Sequence, residues 1–419
     1  MLKKLFSAAC LIFIGILLGF VILEAGLRLI GVNKDLNGGV KNYYQADPKM
    51  GVDIAPNVKP GYDFFADAKI KVWSNELGCF DLPYHNEDDY ILLVGDSFTW
   101  GYTPFEQKWG TLIEQLTGKR TLKCGVGGFG THQELLKAEK TIALTKKSPK
   151  LIIVGYLGND LSDDYLFPLD TVIDGRRVTR VSFSNIPLGT RHIKTDAELQ
   201  ASVKNWNNYC VTFTPRYPLF RRGLCILKQH TVSYGVLKKS MRGVLTRLVG
   251  ARNVEALVGK DTGPQWEEGN IALIKEDTYP WIASAWEDQK KTIYEFQKLA
   301  HKENAQLLFV LIPLEEQVSP EQNTQLPQTV DLNQIHKTLI PFFEENNIAY
   351  IDLLSDFTIS AQKGVDPHWK FNGHWNPQGN KLAGLLVSKY LLEKNMVHVP
   401  KSEKQKKLSE IEKELSAFR

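Results

Sequence analysis

The stretch Tyr90-Ile91-Leu92-Leu93-Val94-Gly95-Asp96-Ser97 decides the fold of this chain. It begins with a continuous apolar run, and such runs are typical of short strands that are buried on both faces. The Gly-Asp-Ser that follows predicts a turn, which places the hydroxyl group of Ser97 at the end of the strand. The stretch therefore predicts a sheet whose two faces are both covered by other elements.

Similar apolar runs recur along the chain and alternate with stretches of helical periodicity. Strands are predicted at 90–94, 120–126, 151–154, 306–312 and 349–354, and helices at 111–116, 133–145, 281–304, 332–347 and 377–394. Strands that alternate with helices predict an α/β fold with a parallel sheet.

The alternation stops between residues 161 and 278, where polarity is mixed. We interpret this stretch as an insertion that is partly helical around 232–258. The α/β domain then comprises residues 31–160 and 279–398. Residues 399–419 are predicted to form a charged helical tail with no role in the core.

Composition limits the functions that the chain can have. Its 419 residues are 43% hydrophobic and 23% charged, which is enough apolar material for one large core with an inserted subdomain. The formal net charge of +4 is small for this length and argues against a nucleic-acid-binding protein. No Cys/His cluster has zinc spacing, so neither a metal nor a cofactor is predicted.

The N-terminus carries the signal of a membrane anchor. Lys3 and Lys4 precede an uncharged run from residue 5 to residue 23, close to the ~20 residues that cross a bilayer. A cleaved signal peptide would need small residues where this run ends in bulky ones. Segment 1–30 is therefore predicted to be a single-pass membrane anchor. Lysines before the anchor place the N-terminus in the cytoplasm and the body outside it, in the periplasm or the extracellular space.

Cysteines in such a compartment can oxidise. Cys210 and Cys225 flank a short stretch of the insertion, and a disulfide between them is one hypothesis. Two buried thiols are the alternative, because cysteine is among the most buried residue types.

Chemically useful residues follow the predicted strands. Ser97, the glycine-rich loop 125–130 and Asn159 come after successive strands, and His374 precedes the last core helix. Ligands bind at the carboxyl ends of parallel strands, so these segments are expected to converge. A serine becomes a nucleophile when a base takes its proton, and the oxyanion that forms needs N–H donors. The set predicts a serine nucleophile with a histidine base.

Other interpretations of these segments fit less well. The glycine loop lacks the Gly-Lys-Ser/Thr ending of a phosphate-binding loop. It has the spacing Gly-x-Gly-x-x-Gly, but no acidic residue stands about 20 residues further on, as a dinucleotide site requires. A lone asparagine before Asp is often a helix cap. The order of all four segments, rather than any one of them, carries the prediction.

Four short blocks resemble those of the SGNH (GDSL-like) hydrolase family, in its membrane-anchored bacterial form. The blocks are 95–101 (Gly-Asp-Ser-Phe-Thr-Trp-Gly), 125–130, 158–160 and 373–380. The resemblance implies a flavodoxin-like, three-layer α/β/α fold. It also implies that Ser97 is the nucleophile, that His374 is the base, and that Gly128 and Asn159 form the oxyanion hole.

The chain departs from the family pattern at the acid of the triad. The family commonly has Asp two or three residues before the base, where this chain has Asn372 and Phe371. Asp366 is the nearest preceding carboxylate, and its loop is long enough to fold back, so we predict it as the acid. Asn372 could instead hold the ring of His374 without a charge. A pairing of Asp366 with His368 as the base is a further alternative.

The resemblance implies a serine esterase that hydrolyses acyl esters, expected to be O-acetyl esters, on an envelope or extracellular molecule. Its substrate would be an acylated small molecule or glycan. An O-acetyltransferase of an envelope polysaccharide is the first alternative, because related membrane-linked proteins use the same site with a sugar acceptor. A non-catalytic envelope binding protein is the second. Asn372 in place of Asp favours it, and the intact Ser97 and His374 argue against it.

Overall fold

The computed structural model describes most of the chain outside the centre of the insertion. The described residues are 2–29, 40, 42–64, 69–173, 175–184, 186–201, 231–233, 237, 271–319, 327–369 and 373–419. Up to residue 165 the elements are α1 (Leu2–Leu29), β1 (Tyr44–Asp47), β2 (Gly51–Ile54), β3 (Gly61–Phe64), β4 (Lys69–Val72), β5 (Tyr90–Gly95), α2 (Ser97–Trp100), α3 (Trp109–Thr117), β6 (Arg120–Lys123), α4 (Thr131–Thr145), β7 (Leu151–Leu157) and α5 (Asn159–Tyr165). The described part of the insertion adds β8 (Asp170–Ile173), β9 (Arg176–Thr179), β10 (Val181–Ser184) and β11 (Thr190–Ile193). The remaining elements are α6 (Pro280–Lys302), β12 (Gln306–Ile312), α7 (Glu315–Val318), α8 (Gln334–Glu345), β13 (Ala349–Asp352), α9 (Leu354–Gln362), α10 (Pro377–Glu393) and α11 (Lys401–Leu415).

A five-stranded parallel sheet forms the centre of the fold, in the order β6-β5-β7-β12-β13. Every residue of β5 and β7 is buried, as their continuous apolar runs predicted. The predicted parallel α/β sheet is confirmed. Numbered by their place in the chain, the strands follow the flavodoxin-like order 2-1-3-4-5. This order reverses direction at β5, so a crevice opens at the carboxyl ends of β5 and β7.

Helices cover both faces of the sheet. Helix α10 packs on α3 and α11, and helix α6 packs on α4 and α5. Each helix turns an apolar stripe inward, which is the usual way an amphipathic helix becomes stable in a protein. The side chains of Trp109, Trp286 and Trp375 are fully buried between these layers and the sheet.

Two predicted strands are shorter in the structure. The strand predicted at 120–126 ends at Lys123, and Cys124 separates it from the glycine loop. The strand predicted at 349–354 ends at Asp352, because the carboxylate of this residue accepts a 3.0 Å hydrogen bond from the amide of Leu354 and starts α9 there. Helix α9 was not predicted, since its first apolar residues continue the pattern of the strand.

The prediction that the charged tail has no role in the core is wrong. Ile411 and Leu415 of α11 are fully buried, and Phe418 behind the helix is 3% exposed. These apolar residues are three or four positions apart, so they form one stripe along an otherwise charged helix. The average polarity of the tail concealed that stripe.

The described residues contain a disulfide that the sequence did not predict. Cys79 and Cys124 are bonded, with Cα atoms 4.5 Å apart and a sequence separation of 45. Cys124 immediately precedes the glycine loop, so the bond attaches the start of that loop to the segment before β5. The hypothetical pair Cys210 and Cys225 lies outside the described residues.

The insertion begins with two antiparallel hairpins, β8–β9 and β10–β11. Most of the region predicted to be helical, 232–258, lies outside the described residues. At Val232 and Ser233 the chain meets α1, because the carboxylate of Glu24 accepts hydrogen bonds from both amides at 3.1 and 2.9 Å. In the part of the chain that the structure describes, no helix has both the length and the apolar character needed to cross a membrane.

Candidate active site

Ser97 stands where β5 passes directly into α2. The carboxylate of Asp96 caps this helix by accepting a 2.8 Å hydrogen bond from the amide of Phe98. A Cβ atom on Gly95 would lie 2.0 Å from Oγ1 of Thr99, so only glycine allows this sharp turn. The side chain of Ser97 is therefore fixed at the carboxyl end of the strand, beside the crevice.

The structure brings His374 to Ser97. Nε2 of His374 lies 2.9 Å from Oγ of Ser97, although the two residues are 277 positions apart. The imidazole ring packs against Phe98 and Tyr102, with ring centroids 4.9 and 4.1 Å away. These aromatic contacts hold the imidazole ring beside the hydroxyl group of Ser97.

Asn376 fixes the loop that carries His374. Its side-chain oxygen caps α10 by accepting hydrogen bonds from the amides of Gln378 and Gly379 at 2.7 and 3.1 Å. Its Nδ2 donates to the carbonyl groups of Asp366 and His368 at 2.7 and 2.9 Å. One side chain thus ties the start of the helix to the preceding loop.

Ser97 has a second polar neighbour. Its hydroxyl group lies 3.1 Å from Oδ2 of Asp96. Burial raises the pKa of Asp96 to about 6, although hydrogen bonds from Phe98 and Ser97 act in the opposite direction. A hydroxyl group has a single proton, so the carboxylate of Asp96 and the imidazole of His374 compete for it.

Asp366 is not joined to His374. Its carboxylate accepts a 2.9 Å hydrogen bond from the amide of His368, and its side chain is 64% exposed. Among the described residues, no hydrogen bond or ion pair connects Asp366 with His374. This geometry gives no support to Asp366 as the acid of a triad. The other candidate partner, Asn372, lies outside the described residues.

His368, the alternative candidate for the base, is buried. Its Nδ1 is 4.0 Å from Oδ1 of Asp366, so these two residues are neighbours. Burial, followed by the nearby charge of His374, lowers the pKa of His368 to about 3. His368 is therefore a neutral core residue at pH 7, and the imidazole beside Ser97 belongs to His374.

A carboxylate that was not predicted from the sequence lies beside the loop that carries His374. Glu315 begins α7, and its Oε2 lies 2.9 Å from the position that a Cβ atom on Gly373 would occupy. Burial, then repulsion from Glu316 and Asp366, raises the pKa of Glu315 to about 7. Glu315 follows the fourth strand of the sheet, so the rule that identified Ser97 and Asn159 could have found it.

The glycine loop passes beside Ser97. A Cβ atom on Gly127 would be 3.7 Å from Cβ of Ser97. Gly128 has a φ of +70°, and a Cβ atom there would be 2.6 Å from Nη2 of Arg177. The left-handed backbone conformation therefore favours glycine at position 128.

Asn159 lies on the opposite side of the crevice, at the start of α5. Its Nδ2 donates a 3.1 Å hydrogen bond to Asp163 and also lies close enough to Asp96 to lower the pKa of that carboxyl group. Its buried Oδ1 has no hydrogen-bond partner within the described part of the chain. The amide of Asn159 thus lies next to the residue that precedes Ser97.

Buried acidic residues line the wall behind the site. Burial, followed by repulsion between neighbouring carboxylates, raises the pKa of Glu134, Asp160 and Asp163 well above their usual range. Burial also raises the pKa of Asp164 to about 7. In the residues that the structure describes, no group of acidic, His or Cys side chains could hold a metal ion.

These groups together can carry out one kind of chemistry. A hydroxyl group with an imidazole at hydrogen-bond distance can attack a carbonyl carbon. Amide groups on both sides, from the glycine loop and from Asn159, can stabilise a developing oxyanion. The arrangement suits acyl transfer through a serine.

No family model matches the chain, and no curated protein sequence does. Several solved structures show a weak likeness. The acetyl xylan esterase AlAXEase is 12% identical with a TM-score of 0.34, over 73% of this chain and 98% of that chain. A carbohydrate acetylesterase family member from Sinorhizobium meliloti is 12% identical with a TM-score of 0.30, over 73% and 98%. The lipase/acylhydrolase from Enterococcus faecalis is 12% identical with a TM-score of 0.29, over 72% and 95%. Likenesses at this level carry no argument about what this chain does.

Proposed function

We propose that this chain is a serine esterase of the SGNH (GDSL-like) type, which hydrolyses acyl esters, chiefly O-acetyl esters, of an envelope or extracellular molecule. The observation that carries the proposal is the 2.9 Å approach of Nε2 of His374 to Oγ of Ser97. This contact lies at the crevice of the sheet and beside a glycine loop, where ligands bind in open α/β folds.

In the proposed reaction, Oγ of Ser97 attacks the ester carbonyl carbon while His374 takes the hydroxyl proton. The oxyanion is stabilised by N–H groups of the glycine loop and of Asn159. His374 then gives its proton to the leaving alcohol, and an acyl-enzyme remains. Water attacks that acyl group, His374 takes a proton from the water, and Ser97 recovers it as the carboxylic acid leaves.

Hydrolysis of p-nitrophenyl acetate by the purified protein tests the proposal. We expect one acetate for each p-nitrophenol released, whether or not an oligosaccharide is added. Acetate that appears on the oligosaccharide instead would indicate an acetyltransferase. Absence of p-nitrophenol release, with no acetylated product, would contradict both forms of catalysis.

We further propose that the body of the protein lies outside the cytoplasm, anchored by segment 1–30. Lys3 and Lys4 before the uncharged run support this orientation. The Cys79–Cys124 disulfide also supports it, because disulfides persist in oxidising compartments and are rare in the cytosol.

A reporter enzyme that is active only in the cytoplasm tests this orientation. Fused after Arg419 through a flexible linker, it is expected to be silent, because the predicted anchor carries the body across the membrane. The linker is needed because the guanidinium of Arg419 pairs with Asp356 at 3.0 Å. The matched control is the same fusion without residues 1–30, which should give signal. A full-length fusion as active as this control would contradict the orientation.

The substitution Asp366→Asn is expected to change kcat/KM for p-nitrophenyl acetate less than about threefold, whereas loss of a triad acid typically costs ~10⁴-fold. Asn can still accept the 2.9 Å hydrogen bond from the amide of His368, so the loop should keep its shape. Steady-state kinetics at pH 7 provide the measurement. A loss of three orders of magnitude would instead assign Asp366 as the acid.

A further inference from the structure

A side chain of the insertion reaches the glycine loop. Arg177, in β9, donates Nη1 to the carbonyl oxygen of Gly127 and lies with Nη2 3.3 Å from that of Gly128. Its Nε pairs with the carboxylate of Asp170 on the neighbouring strand of the hairpin. The guanidinium carbon lies 5.3 Å from the centre of the Tyr44 ring. The guanidinium of Arg177 thus lies between Asp170 and Tyr44 while it donates to the glycine loop.

The charge of Arg177 is permanent. Burial by itself would lower the pKa of this guanidinium, but the charge of Asp170 and the hydrogen bond to its carboxylate outweigh burial and raise it. Asp170 balances the charge, and the nitrogens are engaged by backbone and carboxylate oxygens. Arg177 is therefore placed to hold the loop rather than to bind an anionic substrate.

The hydrogen bond from Arg177 to the carbonyl oxygen of Gly127 also fixes the N–H of Gly128, because both groups belong to the same peptide. A trans peptide is planar, so the carbonyl group of Gly127 and the N–H of Gly128 point in opposite directions. A peptide between two glycines would otherwise rotate easily, because neither residue has a Cβ atom. Because Arg177 holds the carbonyl oxygen of Gly127, this peptide cannot rotate, and the N–H of Gly128 keeps a single direction. A charged donor on the carbonyl also polarises the peptide and strengthens its N–H as a donor.

We propose that Arg177 is a positioning residue that sets the direction of the Gly128 amide in the oxyanion hole. The insertion then contributes a residue to the active site. This inference rests on the proposed esterase function and adds to it a residue that acts on the transition state through the backbone.

Kinetics of three variants test the inference. Arg177→Met is expected to lower kcat for p-nitrophenyl acetate by ~10–100-fold with KM within about twofold, because an oxyanion donor acts mainly in the transition state. Arg177→Lys should have a kcat between those of Arg177→Met and the wild type. One ammonium group cannot bridge both carbonyl groups as the planar guanidinium does. The matched control is Arg191→Met, because exposed Arg191 of the next hairpin donates a 2.8 Å bond to the carbonyl of Tyr165 instead. We expect its kcat to equal that of the wild type.

Labelling with a fluorophosphonate gives a second readout. Oγ of Ser97 bonds to phosphorus, fluoride leaves, and the serine proton passes to His374, while the phosphoryl oxygen occupies the oxyanion site. The labelling rate of Arg177→Met should fall by about the same factor as kcat. A residue that only stabilises the fold would lower the melting temperature without this parallel change.

Defined results would overturn the inference. One is a kcat of Arg177→Met within about threefold of the wild type, and another is a rise in KM with kcat unchanged. If Arg177→Met does not fold, Arg177→Lys decides by the same two criteria. A wild-type protein that neither hydrolyses the ester nor reacts with the fluorophosphonate would refute the proposed function, and this inference with it. An active wild type with unaffected Arg177 variants refutes the inference alone.

Discussion

Replacing Ser97 with alanine is expected to reduce ester hydrolysis by ~10⁴–10⁶-fold, the range found when a serine hydrolase loses its nucleophile. The hydroxyl group is 2.9 Å from Nε2 of His374, and its removal leaves His374 with no serine proton to accept. No acyl-enzyme can form, so any remaining rate must come from direct attack by water. The measurement is kcat for p-nitrophenyl acetate, with the melting temperature to verify that the variant folds.

Ser388→Ala is a matched control for that substitution. Ser388 is fully buried in α10, and its hydroxyl group has no hydrogen-bond partner within the described residues. Ser388→Ala removes a serine hydroxyl group, as Ser97→Ala does, but not one at the crevice. Activity should therefore be unchanged. An Ser97→Ala variant that retains most of its activity would exclude the serine mechanism.

The second large effect is expected at Asn159. Asn159→Ala should lower kcat by ~10²–10³-fold with little change in KM, as for the loss of one oxyanion-hole donor. Asn159→Asp should lower kcat at least as much, because a carboxylate in that place repels the oxyanion. Steady-state kinetics of both variants give the measurement.

The hydrogen bond from Asn159 to Asp163 needs its own control, because Asn159→Ala removes that bond as well. Asp163→Asn keeps an oxygen acceptor 3.1 Å from the amide of Asn159. If Asn159 acts on the oxyanion, Asp163→Asn should keep kcat within about tenfold of the wild type. That loss is much smaller than the loss expected when an oxyanion donor is missing. Equal losses in Asn159→Ala and Asp163→Asn would point to a structural role for the pair.

The central sheet could be predicted from sequence because its signal is local. An apolar run such as Tyr90–Gly95 or Leu151–Leu157 shows in a few consecutive residues that a strand is buried on both faces. The convergence of Ser97 with His374 then follows from the geometry of parallel sheets, without knowledge of any side-chain contact.

The parts that were missed depend on contacts between distant segments. Arg177 lies in a stretch of mixed polarity, and nothing in its neighbours indicates that it reaches the carbonyl groups of Gly127 and Gly128. The acid of the triad also depends on such contacts, and Asp366 stays a prediction for that role. Distance along the chain favoured Asp366, and the turn at 366–368 directs its carboxylate to the amide of His368.

The disulfide was missed because cysteine pairing cannot be deduced from spacing alone. Cys79 and Cys124 lie 45 residues apart, with a strand, two helices and another strand between them in the chain.

The bond between Cys79 and Cys124 closes a covalent ring, and Ser97 lies inside it. The ring contains β5, α2, α3 and β6, that is, Ser97 with two strands of the sheet. In the unfolded chain the ends of this segment cannot diffuse apart, and a ring of this size lowers the entropy of the unfolded state by the equivalent of ~4 kcal/mol. Once oxidised, the chain has fewer arrangements to search before β5 and β6 pair. The bond thus links the strand that ends at Ser97 to the start of the glycine loop within one covalent ring.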